Sequence, residues 1–124
     1  KVFGLERWNS DQHTYLVEGP IDSFFLPNCL AMAGADMSDL TLIDKDKTTL
    51  IFDNEPRNFQ IVKSMIRFLK NGWKVVVWPN SIISKDINDM VQSSIRDARL
   101  VEIINTNTYS GQRGEWEVQS WKKV

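Results

Sequence analysis

At 124 residues, with 42% hydrophobic and 25% charged residues, the chain has the size and composition of one ordinary globular domain. A net charge of −1 argues against a domain that grips nucleic acid unaided, because such domains are usually basic. Its one cysteine, Cys29, excludes an internal disulfide and a cysteine-based zinc site and suits a reducing, cytoplasmic setting; there is no apolar run of about 18 residues to span a membrane and no visible signal peptide.

Val2–Trp8 reads as an edge strand or a lead-in segment. His13–Val17 is the first strong strand, stopped by Gly19-Pro20. Asp22 and Ser23 offer N-caps for a short helix, Phe24–Leu26. Cys29–Ala33 is a short apolar run read as the second strand, and Ser38–Leu42 as a helical turn. Asp44–Lys47 is a polar loop. Thr48–Phe52, rich in β-branched and apolar residues, is the third strand. Pro56 suits the first turn of a helix that runs to about Lys70, with Val62, Met65, Ile66 and Leu69 as its apolar stripe and Asn71-Gly72 as its stop. Trp73–Trp78 is the fourth strand, apolar after Lys74 as a strand buried on both faces should be. Lys85–Val91 begins another helical piece, Arg99–Ile104 is a strand or a helix, and the chain from Asn105 onward is ambiguous. Strands alternating with helices predict an α/β fold with a mainly parallel, four-stranded sheet. The boundaries expected are a lead-in over 1–12, the main domain over 13–110 and a tail over 111–124. Because the chain starts at Lys1, it reads as a piece of a longer protein.

In open parallel sheets ligands bind beyond the carboxyl ends of the strands. Acidic residues fall at those ends. Glu18 follows Val17, Asp53 follows Phe52 with Glu55 two residues on, and Asp86 and Asp89 follow the fourth strand. Carboxylates that converge stay ionised together only if a cation neutralises them; otherwise their pKa values rise. Magnesium takes oxygen ligands, keeps several waters for phosphate oxygens and assists phosphoryl transfer. Each acid also has a plainer reading. Glu18 suits a solvated turn, Asp22 a helix cap, and Asp86 and Asp89 the cap and surface of the next helix. The pattern as a set favours a site. With His13 as the single histidine, no Ser-His-Asp or Cys-His arrangement competes with it. Lys63, Arg67 and Lys70 at helical spacing, with Lys85 beyond, read either as a solvated face or as a phosphate track. Trp116 and Trp121 are structural, or dock on a further domain.

These residues resemble a family. Val17-Glu18-Gly19-Pro20-Ile21-Asp22-Ser23 resembles the first motif of TOPRIM domains, a Rossmann-like fold, and Ile51-Phe52-Asp53-Asn54-Glu55 looks like the second. Lys85-Asp86-Ile87-Asn88-Asp89 resembles the Lys-Asp-Pro-Asp-Glu stretch of primases. Val2-Phe3-Gly4-Leu5 looks like the Leu-Tyr-Gly-Leu element that precedes the first motif. The ordered set is similar to the primase subunit of T-even-like bacteriophages over roughly residues 2–110.

The resemblance implies a DNA-dependent RNA primer synthesis module. Magnesium or manganese would be held by Glu18, Asp53, Glu55 and Asp86, with Glu18, Asp53 and Glu55 catalytic and Asp22 and Asp89 in support. Glu55 departs from the family's aspartate. Implied partners are nucleoside triphosphates, a single-stranded DNA template, a replicative helicase and amino-terminal primase domains that this chain lacks. The isolated chain is expected to make little primer. The rivals are a TOPRIM nuclease that cleaves phosphodiesters and a non-catalytic module that docks on a helicase or on DNA.

Overall fold

The apolar runs become strands because both faces of each are covered. A computed structural model describes residues 1–124. β1 (Thr14–Val17), β2 (Cys29–Ala31), β3 (Thr48–Ile51) and β4 (Lys74–Val76) are joined by β5 (Thr108–Tyr109) in one sheet of order β2-β1-β3-β4-β5. The first four are parallel and β5 runs antiparallel to β4. The sheet therefore has five strands, not the expected four. All residues of β1, β2 and β3 are buried, as a doubly covered sheet requires.

Alternate residues divide between two cores. Leu16, Leu30, Leu50 and Val75 face α1 (Phe59–Lys70) and the later α4 (Gly111–Trp121). Val17, Ala31, Ile51 and Val76 face α2 (Ile87–Gln92) and α3 (Asp97–Thr106). The period of two along each strand thus makes a three-layer α/β/α molecule.

Several boundaries move for local reasons. The Asn58 side chain accepts from the backbone N–H groups of Gln60 and Ile61, so α1 begins at Phe59 and not near Pro56. Ile61, Val62, Met65, Phe68 and Leu69 form its buried face, while Ile66 is only partly covered. β4 is shorter than Trp73–Trp78; past Val76 one more bond, from Val77 N–H to Asn107 O, continues toward β5, and the Trp78 indole donates to Phe52 O. Arg99–Ile104 lies inside helix α3. The short helix after β1 is a single 3-10 turn over Asp22–Phe25, and neither Asp22 nor Ser23 caps it, because Ile21 holds that position.

The two ends of the chain are built into the fold. Phe3 exchanges a pair of backbone hydrogen bonds with Ala31, of 2.8 and 3.0 Å, along the outer edge of β2. The ambiguous stretch after Asn105 makes β5 and α4. Val118 and Trp121 enter the same core as α1, and Gly114 lets α4 approach it closely: a Cβ there would stand 2.5 Å from Leu69 Cδ2. Trp121 is 7% exposed and is a core residue, not a docking aromatic, whereas Trp116 is 63% exposed. Cys29 is buried, and His13 sits at the opposite end of β1 from Glu18, bonded to Thr49 Oγ1. No helix is long and apolar enough to cross a membrane.

Candidate functional site

The sheet order places a crevice between β1 and β3. The connection leaving β1 crosses the face of the second core, through Leu26, and the one leaving β3 crosses the other face, through α1. Beyond the carboxyl ends of two such strands a gap opens, which is where doubly wound sheets take ligands. Glu18 follows β1 there and Asp53 follows Phe52 there.

The two residues touch. Glu18 Oε2 accepts the backbone N–H of Asp53 at 2.7 Å. Asp22, 8% exposed, turns one oxygen to the Asn88 N–H at 2.9 Å, and Asp86 Oδ1 accepts from Asp89 N–H at 2.8 Å. Both bonds satisfy amides in the first turn of α2, whose positive end favours negative charge. The start of α2 thereby draws Asp22 and Asp86 together. Glu18, Asp22, Asp53 and Asp86, with Gly19, Pro20, Ile21 and Asn88, line an open hollow of about 330 Å³.

No lysine or arginine pairs with any of these four acids; the ion pairs of the chain are Arg7–Glu6, Arg99–Glu102 and Arg113–Glu117. The crowding is felt in their protonation. Asp53 is pushed up to about 7, first by burial and then by the charges of Glu18, Asp22, Asp86 and Glu55. Burial also raises Glu18, with Glu55 and Asp22 adding to it against the Asp53 N–H bond. Asp22 is raised by burial and by Asp86 and Asp89, against the Asn88 N–H bond.

As they stand, no three such side chains are poised as a ready-made metal-binding set. Glu18, Asp22 and Asp86 each give one oxygen to a backbone amide and retain the other. The donor chemistry still fits a hard divalent cation, since every group is a carboxylate oxygen and no protein cation offsets the charge.

The remaining expected residues lie elsewhere. Glu55 lines a second hollow beside the first, together with Lys85, Arg57 and Lys123, although its charge reaches both Glu18 and Asp53. Asp89 is exposed on α2 and does not line the acidic hollow. Lys63 and Arg67 are exposed on α1 and line neither hollow.

One residue was not singled out from the sequence. Asn54 donates its backbone N–H to Lys85 O at 2.6 Å and its side-chain N–H groups to Ile82 O and Ser84 O at 2.9 and 3.1 Å. Its Oδ1 accepts the Trp121 indole N–H at 3.2 Å. It ties the end of β3 to the segment before Asp86 and to the end of α4. Its place between two acids after a buried strand was the available signal.

No protein-family model matches the chain. Over its whole length, in 127 aligned residues, the chain is 32% identical to the DNA primase of Enterobacteria phage T4. The match supports a primase-related domain. The chain spans 36% of the length of that T4 primase. An acidic crevice at the switch point of a parallel sheet is thus found in a chain similar to a DNA primase.

Proposed function

We propose that the chain is the TOPRIM-type, metal-binding catalytic domain of a DNA primase, acting within a larger protein. The observation that carries this reading is the meeting of Glu18, Asp22, Asp53 and Asp86 around one hollow with no basic partner. Anions that crowd without a protein cation favour a bound divalent ion. Similarity to the T4 DNA primase supports the reaction class.

Glu18, Asp53 and Asp86 hold magnesium or manganese in this reading, with Glu55 at the margin and Asp22 and Asp89 in support. A divalent ion held there would supply the positive charge that acidifies a primer 3′-hydroxyl and offsets the charge of pyrophosphate. The chain's own part is positional. The Asp53 amide orients Glu18, the first turn of α2 orients Asp22 and Asp86, and Asn54 fixes the segment between them. Nucleoside triphosphates, a single-stranded template and a replicative helicase are the partners of the whole protein.

Replacing Asp53 by Asn in the full-length enzyme should abolish primer synthesis and weaken manganese binding while the fold survives. Normal synthesis by that variant would overturn the reading. Metal-dependent nicking of plasmid DNA without nucleotide incorporation would assign the centre to a nuclease instead.

A further inference from the structure

The hollow next to the acidic one has the opposite character. Arg57 ahead of α1, Lys85 ahead of α2 and Lys123 beyond α4 line a single opening of about 450 Å³ with Asn54, Glu55, Pro56 and Asn58. The three cations come from three separate segments, and none is in an ion pair. Their backbones are fastened to one another. Lys123 N–H donates to Pro56 O at 2.7 Å, and Asn54 N–H to Lys85 O at 2.6 Å. Asn54 also holds Ser84, next to Lys85, and Trp121, two residues before Lys123. Like charges are thus held around one space by hydrogen bonds that do not involve the charges themselves.

Pro56 is the one apolar residue in the lining; the other side chains are three cations, two amides and one carboxylate. The cations do not extend into a track: of the neighbouring hollows one is the acidic crevice, and the other shares Lys123 with this one but adds only the uncharged Pro79, Asn80, Ile82, Ile83 and Trp121. A compact anion fits such a place better than a long polyanion does. The geometry points to a polyphosphate-binding subsite formed by Arg57, Lys85 and Lys123. The subsite stands on this geometry alone. Its reading as the seat for the phosphate tail of a nucleotide bound at the acidic crevice rests on the proposed function.

The test is calorimetric titration of the whole chain with inorganic tripolyphosphate, in a chelator and at low salt, where no metal contributes. One saturable site is expected. The triple substitution Arg57→Ala, Lys85→Ala, Lys123→Ala should weaken it roughly tenfold or more, since charge-assisted contacts are lost. Lys63→Ala with Arg67→Ala should leave it unchanged. Lys85→Ala and Lys123→Ala, taken singly, should each weaken it and keep the parent melting temperature, which covers the case of a triple variant that does not fold. Equal affinity in the folded basic-hollow variants, or no saturable binding by the parent, overturns the subsite. So does an oligothymidylate that displaces tripolyphosphate and is lost with the same substitutions, because the hollow would then serve a nucleic-acid backbone. A metal-free assay is blind to the acidic centre, so its failure is separable from that of primer synthesis in Asp53→Asn.

Discussion

An aspartate that titrates at about 7 is only half ionised near neutral pH, and that state bears on stability as well as chemistry. The ordinary value is 3.8, so ionising Asp53 is harder in the folded chain than in the unfolded one. Below 3.8 both states carry the proton and there is no penalty. The penalty grows as pH rises through the interval and is complete above about 7. Glu18 and Asp22 shift in the same direction and add to it. The Asp53 carboxylate accepts no hydrogen bond from the protein, so asparagine can replace it without stranding a donor. Asp53→Asn should therefore melt at a higher temperature than the parent at pH 8 and at the same temperature near pH 4. Coincident melting curves at pH 8 would show that the crowding has no energetic weight. Millimolar magnesium should raise the parent's melting temperature at pH 8 and leave that of Asp53→Asn nearly unmoved.

At the scale of elements, the short helix α2 owes its position to acids that belong to the crevice. Asp86 is its N-cap, and removing such a cap costs about 1 kcal/mol. Asp86→Ala should lose about that much in denaturant melts, whereas Asp86→Asn keeps an accepting oxygen and should lose little. Manganese affinity should fall in both, which separates the cap from the charge. The α1–α4 contact gives a second handle. Gly114→Val places side-chain atoms where Leu69 already sits and should cost about 1–3 kcal/mol by overpacking. Leu69→Ala in the same chain should recover part of that loss, a coupling that a double-mutant cycle measures. A purely additive result would mean that the helices do not press on each other there.

The first four strands of the whole molecule were legible because burial on both faces writes a continuous apolar run, as in Tyr15-Leu16-Val17 and Val75-Val76-Val77. The acids at their ends were legible too, since a charge directly after such a run stands at the rim of the sheet. What could not be read was pairwise and distant. β5 is two half-buried residues, Thr108 and Tyr109, with no pattern of their own. α4 carries two glycines and only Gly114, Val118 and Trp121 buried, a stripe too thin to announce a helix. The basic hollow joins Arg57, Lys85 and Lys123 from three distant segments, brought together by Asn54 and by the bond from Lys123 N–H to Pro56 O. Charge counting gave −1 and hid the fact that opposite signs sit in adjoining hollows.

Both margins of the sheet end in a brief reversal of direction. On one side the single residue Phe3 lies against β2, and on the other two-residue β5 lies against β4. Strands with free ladders recruit neighbouring molecules into fibrils and swapped dimers. Here the short parallel strands lie inside those margins, and each rim offers a stranger no more than a rung or two. A sheet with so little open ladder is expected to stay monomeric as concentration rises, which sedimentation at increasing concentration would check.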